Sequence, residues 1–302
     1  MTSAKPGASG IRGIGTVTAA IVMVCGFISF GVHRGLLPSP LILSRGNTTV
    51  DAERPAAASA ESPSVLLANG IQPDADGTYI MPQPDAAGVV VLQSNRSYRA
   101  ADLSFAGVMH IETSSDVPAS VVVEPDSPWR VEAAQVIIDN VQLFVNRTEG
   151  SALDRQAALI TTCDVLSMTG CVINMPPSTH AGSCMYWVAA TEITNVISMS
   201  NCVFSGGKYG IRMSTAPDRC SVSNTLFINP GAALRCDLTS ASRTAPRLTL
   251  SQVTQAEGHS FLDIVSEIPE VSTVEIRIQC GESVLAPRTA LVRIALPSGA
   301  DA

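Results

Sequence analysis

The chain is poor in charge, in aromatic rings and in lysine. Only 15% of its 302 residues are Asp, Glu, Lys or Arg and only 4% are Phe, Trp or Tyr, where ordinary globular chains carry about a quarter charged residues. An apolar content of 46% still suffices to fill a core, which excludes wholesale disorder. The two lysines are Lys5 and Lys208, and there is no HRD-type catalytic loop, no DFG and no phosphate-binding loop of the required spacing. Phosphoryl transfer needs all of these parts, so a kinase domain is excluded. His33, His110, His180 and His259 stand apart, without HExxH or a CxxC pair, so no metal site and no cofactor is expected. Basic charge is also lacking where a nucleic-acid binder would need it: residues 46–302 carry 15 bases against 26 acids, and a polyphosphate backbone is recognised by the opposite balance.

The uncharged run GIGTVTAAIVMVCGFISFGV, residues 13–32, has the twenty residues or so that a helix needs to cross about 30 Å of hydrocarbon. It is longer than the apolar core of a cleavable signal, and no clear small-x-small cleavage site follows Val32. It therefore predicts a single N-terminal transmembrane helix that tethers the chain to the membrane. Lys5 and Arg12 precede the run while Arg34 and Arg45 follow it, so the basic flanks do not set the orientation. The layout does, with a short cytoplasmic segment at 1–12, a signal anchor at 13–32 and everything after it exported to the far side of the cell membrane. Residues 33–64, including PSP and ERPAAASAESP, are rich in Pro, Ala and Ser and read as a solvated stalk. Seven cysteines follow the span, an odd number, so at least one thiol stays unpaired even where disulfides can form.

Over residues 65–302 apolar residues alternate in short bursts, each closed by a small or amide residue. Phe105-Ala-Gly107-Val108, Ile138-Asp-Asn140-Val141, Met168-Thr-Gly170-Cys171, Met199-Ser-Asn201-Cys202, Val222-Ser-Asn224-Thr225 and Leu250-Ser-Gln252-Val253 share one pattern, with last members 33, 30, 31, 23 and 28 residues apart. That spacing suits a coil of three short strands, stacked at about 4.8 Å per coil so that each strand pairs with its equivalents above and below. One coil cannot bury its own inward side chains, whereas a stack makes a continuous core. The expected fold is all-β, a right-handed parallel β-helix, with Asn140, Asn201 and Asn224 in left-handed bends where each amide can bond the next. Cys171 and Cys202 stack inside as small hydrophobes.

This pattern resembles the pectate-lyase-like superfamily of right-handed parallel β-helices over roughly residues 86–290. Segments such as VEAAQVIIDNVQLFV and SNTLFINPGAAL, together with the span and stalk, also look like the extracytoplasmic region of bacterial membrane-anchored Ser/Thr protein kinases, without the kinase domain. The first resemblance implies that extended sugar chains lie along one sheet, the strand about thirteen residues before the bend amide. That selects Trp187-Val188, Ile211-Arg212-Met213, Leu234-Arg235-Cys236-Asp237 and Leu262-Asp263-Ile264. Alternation then turns Ile211, Met213, Leu234 and Cys236 inward, and Trp187, Arg212, Arg235, Asp237 and Asp263 outward as the candidate binding residues.

Asp237 and Asp263, on adjacent coils, are the candidate catalytic pair, since glycoside hydrolysis uses two carboxylates and a lyase needs a base beside a cation. Arg212 and Arg235 beside them make the plainer expectation a cross-strand ion-pair ladder. The expected function is that of a membrane-tethered, exported β-helix domain binding a ligand such as a polysaccharide or cell-envelope polymer without catalysis. The alternatives are a polysaccharide lyase or glycoside hydrolase on the same scaffold, and the sensor region of a Ser/Thr kinase system.

Overall fold

The computed structural model describes residues 21–25, 73–124, 127–146, 157–176, 182–191, 194–229, 231–238, 246–266 and 276–295. The 1–12 segment, the stalk and most of the 13–32 run lie outside them.

Every named strand pairs in parallel, and from β3 onward each pairs with the strand three places on in the chain, while β2 pairs with β4 and β1 with β24. The first sheet contains β3 (Val89–Leu92), β6 (Val108–Thr113), β9 (Gln135–Asp139), β12 (Val165–Thr169), β15 (Val196–Ser200), β18 (Arg219–Ser223), β21 (Arg247–Ser251) and β24 (Ile276–Gly281), with β1 (Ile21–Cys25) beside β24 at its end. The second contains β2 (Tyr79–Ile80), β4 (Ser97–Arg99), β7 (Ala119–Val123), β10 (Val141–Val145), β13 (Val172–Asn174), β16 (Val203–Ser205), β19 (Leu226–Ile228), β22 (Thr254–Glu257) and β25 (Val284–Leu285). The third contains β5 (Leu103–Ser104), β8 (Trp129–Glu132), β11 (Ala157–Thr162), β14 (Ser183–Val188), β17 (Tyr209–Met213), β20 (Ala232–Leu238), β23 (Ser260–Ser266) and β26 (Ala290–Ala295). Strands of the three sheets follow one another cyclically along the chain, which is a parallel β-helix.

The bends between first and second sheets fall where the repeat places them. Asn140, Gly170, Asn201, Asn224 and Gln252 all have positive φ, between 41° and 64°, a region that Gly enters freely and Asn tolerates. At each, the backbone N–H donates to a carbonyl on the next rung, as from Asn201 to Ser223 at 3.2 Å. Asn224 Nδ2 donates to Asn201 Oδ1 at 2.6 Å, the expected amide stack. Gly170 interrupts that stack, and Asn140 turns instead to Thr113 Oγ1 and the Ser115 carbonyl. One expected copy is displaced. Gly107 does not lie at this bend but at the corner leading from β5 into β6, and the 105–108 burst belongs to a different corner of the coil. The equivalent bend after β24 is made by Glu282, φ 47°.

The core runs down the axis in registered columns. Ile111, Ile138, Met168, Met199, Val222 and Leu250 succeed one another in the first sheet, and Leu143, Ile173, Phe204 and Phe227 in the second; all are buried. Phe204 and Phe227 stack at 5.2 Å, and Phe261 meets Phe227 edge-on at 6.3 Å. The seven cysteines from Cys163 to Cys280 are free thiols, six of them buried. Cys171 and Cys202 lie thiol to thiol on adjacent rungs, and the hydrogen bond between them, with burial, holds the Cys171 thiol well above its usual range. Among the described residues no helix is long and apolar enough to cross a membrane. The five residues of β1, inside the 13–32 run, form a parallel strand here.

Candidate ligand-binding face

The outer face of the third sheet is built by one column of side chains. Ile160, Tyr186, Arg212, Arg235, Asp263 and Arg293 occupy equivalent places on successive rungs. In-register parallel pairing brings side chains of neighbouring rungs to about 4.8 Å, so adjacent members must be compatible. Arg212 and Arg235 are like charges in adjacent places, and Asp237, two residues beyond Arg235 on the same side of β20, reconciles them. Its Oδ2 accepts from Arg212 Nε at 2.6 Å and its Oδ1 from Arg235 Nε at 2.8 Å. One rung on, Asp263 Oδ1 accepts from Ser260 Oγ and from Arg293 Nε, and Oδ2 accepts from Arg293 Nη2.

Two tyrosines complete the face. The Arg212 guanidinium lies over the Tyr186 ring at 5.0 Å and that of Arg235 over Tyr209 at the same distance, with Lys208 Nζ at 5.2 Å from the Tyr209 ring. Arg235 Nη1 also donates to the Tyr209 hydroxyl at 2.8 Å. Burial pulls the Arg235 guanidinium toward the neutral form, but its bonds to Asp237 and Tyr209 outweigh that and leave its pKa above the ordinary value. Tyr209 is set by the glycines before it: Gly206 and Gly207 have φ of 72° and 61°, and a Cβ on Gly206 would lie 1.8 Å from the Met175 carbonyl oxygen. GGKYG thus makes the tight turn entering β17 that its sequence suggests.

Of the five binding candidates, Arg212, Arg235, Asp237 and Asp263 come together on this face. Trp187 does not. It is in register with Met213 and Thr161 and is wholly buried, so it points into the core. Tyr186, one residue earlier, is the outward neighbour of Arg212, and because strand side chains alternate, a register error of one residue exchanges the faces. Asp237 and Asp263 are on the expected side of adjacent rungs but are almost fully buried, at 4% and 1% exposure. They occupy different columns, Asp263 being paired with Arg235 and Asp237 with Val265. Asp263 takes its cation from Arg293 rather than Arg212. Arg293 was missed, although it stands 30 residues after Asp263 in the alternating segment ALVRIA, the spacing of one coil.

A side chain that moves a proton needs an oxygen able to meet the substrate. Both oxygens of Asp237 and both of Asp263 are already occupied by guanidinium or hydroxyl donors. What the face offers outward is cationic: Arg212 and Arg293 keep 37% and 52% of their side-chain surface exposed. Comparison with family models, curated proteins and solved structures finds no match to the chain.

Proposed function

We propose that this chain is a membrane-tethered, exported β-helix module that holds an extended cell-envelope polymer, such as a polysaccharide, against the outer face of the third sheet without cleaving it. The observation that carries this reading is the closure of Asp237 by Arg212 and Arg235: a carboxylate clamped by two guanidinium groups supports the recognition surface and takes no proton from a ligand. The coil winds right-handedly in this reading, as β–crossover–β connections in one sheet do in nearly all cases, and the scaffold is of the pectate-lyase-like kind. The tether is the 13–32 run, which has the length of a spanning helix in a bilayer, although its residues 21–25 pair with β24 here.

The test is a panel of polysaccharides offered to the full chain, with binding and release of new chain ends measured together. Binding without cleavage, weakened at least fivefold by Arg212→Ala, is the expected result. Cleavage that disappears in Asp237→Asn would replace this reading with that of a lyase or hydrolase, and absence of binding across the panel would end it.

A further inference from the structure

Cys171 and Cys202 each follow a bend, at Gly170 and Asn201, and stand exactly one coil apart. Thr169 is opposite Ser200 in the first sheet and Val172 opposite Val203 in the second, so the two cysteines between them are direct neighbours across adjacent rungs. The backbone fixes that register on both sides, the Gly170 N–H donating to the Ser200 carbonyl at 3.0 Å and the Val203 N–H to the Cys171 carbonyl at 2.9 Å. Neighbouring rungs are about 4.8 Å apart, within the span of roughly 4.4–6.8 Å between α-carbons that a disulfide bridges. Both side chains point into the core at 1% exposure. Cys202 Sγ leans toward the rung of its neighbour, 3.7 Å from the Met168 carbonyl, and Cys171 Sγ lies 3.4 Å from the Thr169 carbonyl on that same rung.

The two thiols are also unequal. The hydrogen bond from the Cys171 thiol draws the Cys202 thiol below its usual value against the effect of burial, so Cys202 is the readier nucleophile of the pair. Among the cysteines from Cys163 to Cys280 no other two stand directly opposite on adjacent rungs. Cys220 and Cys236 are near enough for their charges to interact but belong to different sheets, on β18 and β20. Cys25 and Cys280 are opposite across β1 and β24, but nearly the whole chain lies between them. Between Cys171 and Cys202 lies one complete coil, with β13, β14 and β15.

We propose that Cys171 and Cys202 form a redox site that oxidises to a disulfide, closing this coil into a covalent ring and stapling two rungs inside the stack. The oxidant is a disulfide of the glutathione class. The Cys202 thiolate attacks one sulfur of that disulfide, whose S–S bond breaks and releases a thiolate that takes up the proton from Cys202. The Cys171 sulfur then attacks Cys202 in the mixed disulfide, and the second thiolate leaves with the proton from Cys171. Two cysteine thiols are thus oxidised by two electrons while one disulfide is reduced to two thiols. Because both sulfur atoms are buried, exchange takes place as the rungs assemble or open, and the packed stack then shields the bond from reductants. Formation in the cell rests on the exported reading above, since disulfides persist outside the cytoplasm; linkage in vitro does not depend on it.

The experiment refolds the full chain from urea in mild detergent, either with oxidised and reduced glutathione or with dithiothreitol, and maps each product by mass spectrometry after peptic digestion in acid. Peptides joined through Cys171 and Cys202 are expected from the glutathione product alone. Its urea midpoint should lie about 1 M above that of the reduced chain, because the ring restricts the unfolded state. Cys171→Ser and Cys202→Ser should each remove that difference, and Cys220→Ser should keep it. If a serine variant does not fold, the peptide map of the unaltered chain still decides. No Cys171–Cys202 peptide, a main product joined through Cys220 and Cys236, or equal midpoints for the linked and reduced chains would overturn the proposal. A chain that forms the link yet binds no polysaccharide would end the proposed function and leave this inference standing.

Discussion

Asn201 holds its backbone at φ 56°, donates its N–H to the Ser223 carbonyl and accepts from Asn224 Nδ2. A branched apolar side chain fails on two counts here. It meets the left-handed conformation with a penalty of about 1–2 kcal/mol, and it leaves the Asn224 amide without its acceptor, worth about 1 kcal/mol. Asn201→Leu is therefore expected to destabilise the domain by roughly 2–3 kcal/mol, and Asn201→Gly to cost less because only the hydrogen bond is lost. Chemical denaturation of the two variants separates these contributions. An Asn201→Leu variant as stable as the parent would show that the bend tolerates any residue and that the amide stack contributes nothing.

At the scale of strands, legibility followed from how many residues carry each signal. The bends from first to second sheet could be read because Asn140, Gly170, Asn201, Asn224 and Gln252 combine one special residue type with a strong apolar alternation before it. Glu282 escaped because glutamate is not a residue that announces a left-handed turn, and the 105–108 burst misled because a glycine after apolar residues also marks other corners. On the third sheet β11, β14, β17, β20 and β23 begin with at least three consecutive buried residues, as in Ser183-Cys184-Met185 and Tyr209-Gly210-Ile211. This breaks simple alternation and explains how Trp187 came to be assigned to the wrong side. Ion pairs such as Arg293 with Asp263 depend on registers set by turns of varying length, which spacing alone does not fix. The second sheet supplies the test of packing at this scale. Phe227 is fully buried between Phe204 and the edge of Phe261, and the next place in its column is taken by Gln255 rather than an apolar residue. Phe227→Ala opens a cavity that the rigid rungs close poorly, with an expected loss of about 3–5 kcal/mol. The urea midpoint should fall with little change in slope, since the same surface is exposed on unfolding. A loss below 1 kcal/mol would show that the rungs collapse freely onto one another.

Across the whole molecule the thiols give the fold a sensitivity to alkali that its lysine-poor composition leaves uncovered. Burial pushes the thiols of Cys163, Cys184, Cys220 and Cys236 up from 9.0 to about 12. An unfolded chain releases these protons near pH 9, while the folded chain retains them up to about pH 12. The folded state thus binds more protons throughout that window, and by linkage its stability falls as pH rises. Below the unfolded value neither state loses the proton and the contribution is constant. Each thiol adds a slope of about 1.4 kcal/mol per pH unit within the window, and four acting together are enough to unfold a marginal domain within a unit or two. Urea midpoints should stay level between about pH 7 and 8.5 and drop steeply above 9. Replacing Cys220 and Cys236 together by alanine should make that drop shallower, even though the variant starts less stable at neutral pH because two buried sulfur atoms are gone. Denaturation midpoints that are the same at pH 8 and pH 10.5 would mean that these thiols ionise as readily inside the stack as in water, and that the interior of the β-helix is wetter than its registered columns imply.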